Sequence, residues 1–196
     1  LVLFIAGIIS HLVRCLVSRP RLSEKLSSTS ALQAGITLST LLTGVAIVAV
    51  FVSWLGLPSE MDGRIYFEFL FWGGGHILQF TYTLLMLVCW LWLSSASGVK
   101  LPLTPRVTLV LFGFGLFAVF SVPLLYYSYA VTTVEHIKLF TWLMRYGGSL
   151  ATLPLALAVL YGLLVSRSFS KESSPFRSAL LSSMILFGAG GLIGFF

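Results

Sequence analysis

Residues 66–93 read Tyr66-Phe-Glu68-Phe-Leu-Phe-Trp72-Gly73-Gly74-Gly75-His76-Ile-Leu-Gln79-Phe80-Thr-Tyr-Thr-Leu-Leu-Met-Leu-Val-Cys89-Trp90-Leu-Trp-Leu93, an apolar run without lysine or arginine. A membrane-crossing helix needs ~20 apolar residues, and this run exceeds that. In hydrocarbon every backbone N–H and C=O must be bonded within the chain, so a run of this kind forms a helix. One acid, Glu68, and one histidine, His76, interrupt it. Ionisable groups at membrane depth are costly, and they line pathways, bind ligands or pair with partners. Trp72 stands four residues before His76 and Phe80 four after, so the three share roughly one helix face. The glycines between them let another backbone or a flat ligand come close.

The rest of the chain fits this reading. It has 196 residues, 58% of them hydrophobic and 9% charged, with a mean hydropathy of +1.01. A soluble domain carries roughly a quarter charged residues, so this is an integral membrane protein. The expected fold is all-α, a polytopic transmembrane helix bundle. Leu1–Leu16 reads as the tail of one span. Ala31–Leu57, Tyr66–Leu93, Val107–Val131, Ile137–Val165 and Ala179–Phe196 follow, giving six spans in a single membrane domain over residues 1–196. Breakers separate them: Arg19-Pro20, Gly56-Leu-Pro58, Asp62-Gly63, Gly98, Pro102, Pro105 and Pro175. The ~10-residue alternating segments of a transmembrane barrel are absent. The run is already apolar at Leu1 and still apolar at Phe196, so the chain reads as a fragment of a longer one. Cys15 and Cys89 have neither metal-type spacing nor a disulfide framework, and they read as small buried hydrophobes.

Charge gives the orientation. The loop after the first span carries Arg14, Arg19, Arg21 and Lys25; the third loop carries Lys100 and Arg106; the fifth carries Arg167, Lys171 and Arg177. The second loop sets Arg64 against Glu60 and Asp62, and the fourth has Glu135 and no base. The positive-inside rule places the loops near 14–25, 95–106 and 166–177 in the cytoplasm. The net charge of +6 is then met by anionic lipid, with no nucleic-acid partner expected. The span holding His76 enters from the outer face.

Several residues are candidates for function. A histidine between aromatics can ligate a metal beside a large planar cofactor, or simply hydrogen-bond a neighbouring helix. Glu68 reads as an interfacial carboxylate or a proton-path residue. Arg145 lies well inside its span and suits an ion pair with Glu68 or Glu135, or an anionic cofactor group. His136 and Lys138 stand at a helix entrance, where interfacial anchoring is ordinary. Tyr126, Tyr127 and Tyr129 suit an aromatic belt at the outer level.

Trp72-x-x-x-His76 in a span entering from outside resembles the sixth helix of the haem-copper oxidase catalytic subunit, subunit I, on the branch of nitric oxide reductases and C-type oxidases. Tyr126-Tyr-Ser-Tyr129 through Glu135 to Trp142-Leu-Met and Leu153-Pro154 is similar to the segment that follows the seventh-helix histidine pair there. Phe187-Gly-Ala-Gly-Gly191-Leu-Ile-Gly194 looks like the Gly-Gly stretch of the ninth helix. The resemblance covers nearly the whole chain as helices four to nine. It implies a respiratory subunit of the bacterial inner membrane, with other respiratory subunits or a cytochrome electron donor as partners. It also implies haem, its ligands beyond both ends of the chain, and copper or non-haem iron as the second metal. His76 is the implied metal ligand, and Trp72, Gly75, Phe80, Tyr126 and Tyr127 the implied cofactor neighbours. The implied reaction is reduction of oxygen or nitric oxide.

The departures are specific. The family's two adjacent histidines align with Tyr126 and Tyr127, and neutral tyrosine is a poor substitute for imidazole on copper or iron. The acid that follows the sixth-helix histidine is missing, since Leu78, Gln79 and Phe80 stand there. Lys138 echoes an eighth-helix lysine at the wrong spacing. Two other readings therefore stand beside catalysis. One is a non-catalytic homologue with a haem-binding, sensing or assembly role. The other is a transporter, against which the lack of an internal repeat counts.

Overall fold

The computed structural model describes residues 2–17, 27–166 and 174–195. Arg19, Arg21 and Lys25 of the first basic loop, and Arg167 and Lys171 of the fifth, lie outside the described residues, as does the side chain of Cys15. The described residues form helices joined by short turns, without strands: α1 Val2–Val17, α2 Ser28–Gly56, α3 Gly63–Ala96, α4 Pro105–Phe120, α5 Val122–Ser128, α6 Val134–Trp142, a π-helical turn Leu143–Gly147, α7 Ser149–Val165 and α8 Ser174–Phe195. Five stretches are long and apolar enough to cross a membrane: α2, α3, α4 with α5, α6 with α7, and α8. The protein is a polytopic helical membrane bundle.

Local chemistry sets the boundaries. Asp62 caps α3 by accepting from the Arg64 N–H at 3.0 Å, so the Asp62-Gly63 breaker is a helix start. The other end of α3 closes with Val99 N–H on the Ser94 carbonyl at 2.9 Å and Gly98 N–H on Ser95 at 3.1 Å. Gly98 carries φ +72°, the left-handed conformation that this closure requires and glycine tolerates. Thr104 caps α4, and Pro105 occupies its first turn, where no N–H is needed. Pro123 also lacks an N–H, and the helix breaks at Ser121 before it.

α3 is the central element. It packs most extensively on α2 and also meets α4, α6, α7 and α8. The α2 face is made of small residues, Gly35, Ser39, Ala46, Ala49 and Ser53, all buried. A Cβ at Gly74 would fall on Val50 and the Ala46 carbonyl, and one at Gly35 on Val88 and Phe112. Small residues at these points set how closely the backbones approach, as in membrane bundles generally. α8 touches α3 through a Trp90 Nε1–H bond to Ser183 Oγ at 2.9 Å and an edge contact of Trp90 with Phe187. The membrane-length part of α8 is 6% buried, against 44% in α3. Cys89, expected inside, is exposed on the outside of the bundle.

Candidate functional site

His76 stands thirteen residues into α3, about 20 Å along its axis, with its ring half-buried. Its Nδ1 lies 2.6 Å from the Trp72 carbonyl oxygen. A carbonyl only accepts, so Nδ1–H donates to it. The Trp72 ring lies 4.8 Å from the imidazole at 42°, and the Phe140 ring 6.1 Å away on α6. Trp72 Nε1 is buried without a hydrogen-bond partner.

The three glycines before His76 do three different things. A Cβ at Gly73 would fall on the Tyr126 hydroxyl, so glycine there admits Tyr126 from α5. Gly74 admits α2. Gly75 has nothing near its Cβ position and faces open space. Phe80 is buried one turn further on, beside Gly147 of the π turn.

Tyr126 reaches across the bundle. Its hydroxyl donates to the Ala49 carbonyl at 3.2 Å and is 2.9 Å from Ser53 Oγ. His136, read from sequence as an interfacial anchor, is fully buried. The reason is the cap: Thr133 accepts from the His136 N–H at 3.3 Å, starting α6 so that His136 and Phe140 face inward together. The His136 ring lies 4.9 Å from Tyr126, edge-on, and 4.9 Å from Phe140. Neither of its ring nitrogens has a hydrogen bond of good geometry, the Tyr129 backbone being the nearby polar group.

The structure therefore brings Trp72, His76, Phe140, His136, Tyr126 and Ser53 into one aromatic and polar cluster. Tyr127 points away and is 90% exposed. Glu68, Glu135 and Arg145 are exposed on the outside of the described bundle, Arg145 within the π turn. Ser53 and Phe140 are the members that sequence reading missed, and His136 is the one that it placed at an interface instead. Ser53 had a signal in the small-residue spacing Ala46, Ala49, Ser53; for His136 it was the Thr133 cap.

The chemistry of this cluster is limited by its donors. A second metal needs several ligands converging on one point. No group of three His, Cys, Asp or Glu side chains placed to hold a metal occurs among the described residues. The Phe140 ring neighbours both imidazoles, and the Tyr126 phenol is already bonded.

No family model matches the chain, and no solved structure does. It is similar to the uncharacterized protein RP382 of Rickettsia prowazekii (strain Madrid E), at 28% identity over 165 residues. That match takes in 70% of this chain and 32% of the relative. The chain thus spans about a third of the length of the curated protein it matches.

Proposed function

We propose that this chain is the central helical part of a haem-copper oxidase-like respiratory membrane protein that keeps the bundle and lacks the second-metal centre. On this reading it binds haem for sensing or for assembly of a respiratory complex, and does not itself reduce oxygen or nitric oxide. It sits in the bacterial inner membrane with its basic loops in the cytoplasm. Its partners are other respiratory subunits or a cytochrome.

One observation carries the reading. Tyr126, which the resemblance aligns with the first of two metal histidines, has its hydroxyl committed to Ala49 and Ser53. Among the described residues, the donors around His76 do not fit copper or non-haem iron. The Trp72 and His76 rings, 4.8 Å apart on one face of α3, support a flat group lying against that helix. Haem bound there supplies electron transfer and gas binding.

The catalytic alternative has its own support. A metal-ligating histidine holds its second ring N–H on a carbonyl or carboxylate, as His76 does on Trp72. Substituting His76→Ala in the purified full-length protein separates the two. The expected outcome is shifted haem absorption bands with copper and non-haem iron unchanged. Loss of a stoichiometric metal ion overturns the proposal and restores the catalytic reading.

A further inference from the structure

His136 is 0% exposed, and both of its ring nitrogens are buried with no hydrogen-bond partner among the described residues. Trp72 Nε1, in the same aromatic cluster, is buried and unbonded as well. A buried polar group left unpaired costs its full desolvation penalty, so native structures bond such groups to protein or to ordered water. The unpaired atoms also define the guest. The indole nitrogen only donates, whereas a neutral imidazole offers one N–H and one lone pair, whichever nitrogen carries the proton. A cation meets the lone pair alone, and an anion meets the N–H groups alone. Water meets both kinds. The Tyr129 backbone, in the turn that joins α5 to α6, is a polar group close enough to His136 to share that guest.

Three spans place the polar end of the cluster at one level. Val134–Val165 has 32 residues, Pro105–Ser128 has 24 and Ser28–Gly56 has 29, about 48, 36 and 44 Å at 1.5 Å per residue. Centred on ~30 Å of hydrocarbon, they project by about 9, 3 and 7 Å at each end. His136 lies two residues inside the first span, Tyr126 two from the end of the second and Ser53 three from the end of the third. Those positions are about 3, 3 and 5 Å in. All three residues therefore stand in the headgroup layer or at the boundary of the hydrocarbon, where water is supplied.

We propose that this cluster holds ordered water, one molecule of it bonded to a His136 ring nitrogen and to the Tyr129 backbone. Buried waters make about three hydrogen bonds each, to polar groups that the protein leaves unpaired. The aromatic cluster then has a wet polar end at the membrane interface. The inference is independent of the haem reading.

The test is X-ray radiolytic footprinting of the full-length protein in nanodiscs, with a radical scavenger in the bulk solvent. Hydroxyl radicals formed from an ordered water oxidise the side chains beside it. His136, Phe140 and Phe112 are all 0% exposed, and Phe112 packs beside Gly35, apart from the cluster. The expected result is oxidation of His136 and Phe140, with Phe112 unmodified. His136→Phe, an apolar ring in the same place, should abolish the oxidation of Phe140. His136→Gln, which keeps a donor and an acceptor, should retain it. Unmodified Phe112 in both variants shows that the bundle is intact, and if either fails to fold the wild-type comparison decides alone. Phe140 as unreactive as Phe112 in the wild type overturns the proposal, because His136 then bonds protein directly. Oxidation of Phe140 that persists in folded His136→Phe also overturns it.

Discussion

His76 and Trp72 interact because residues four apart meet on a helix, so their contact was legible in the sequence. The bond between Ser53 and Tyr126 was not, because it joins residues 73 apart in the chain. No local pattern fixes the rotation of α5 against α2 and α3. The same blindness covers His136, whose position next to Lys138 and Glu135 suggested an interface while its helical register turned it inward. The Tyr126 seat gives a direct prediction. Tyr126→Phe removes a membrane hydrogen bond and should lower stability by about 0.5–1.5 kcal/mol, given averages near 0.6 and a maximum near 1.7. Gly73→Val also displaces the ring and should lower it by about 1–3 kcal/mol, the scale of overpacking. Reversible unfolding in mixed detergent measures both. Equal stability for Gly73→Val and wild type would mean that Tyr126 does not enter at Gly73.

At the scale of elements, hydropathy located every long span. Ala31–Leu57 corresponds to α2 at Ser28–Gly56, and Tyr66–Leu93 to α3 at Gly63–Ala96. The caps at Ser27, Asp62 and Thr133 account for the earlier starts, because a polar side chain binds the first N–H groups before the apolar run begins. Two internal features escaped. The break at Ser121 depends on Pro123, which a hydropathy average does not weigh. The π turn at Leu143–Gly147 depends on tertiary packing, since a Cβ at Gly147 would fall on that of Ala118 in α4. The α2–α3 interface is the element contact most exposed to test. Gly74→Ile should push α2 from α3 and lower stability by about 1–3 kcal/mol or more, whereas Gly75→Ala, in open space, should fold normally. Thermal melting in detergent distinguishes them, and similar losses at both positions would contradict the close approach at Gly74.

At the scale of the molecule, the helical bundle was readable from composition, and the sidedness rests on alternating basic and acidic loops. In a background without Cys15 and Cys89, Lys100→Cys should label from the cytoplasmic side. Glu60→Cys and Thr132→Cys should label from the opposite side. Labelling of all three from one side would break the strict up-and-down order of the spans. The site was less legible than the fold, because a metal centre is made by convergence of side chains from several helices. Residue spacing could nominate His76 but could not show that Phe140 and a bonded Tyr126 occupy its surroundings. That occupation is the central claim, and elemental analysis of the purified full-length protein alongside its haem absorption spectrum tests it most directly. The account predicts bound haem with neither copper nor iron beyond the haem iron. Copper or non-haem iron in stoichiometric amount, or a protein without haem, would contradict it.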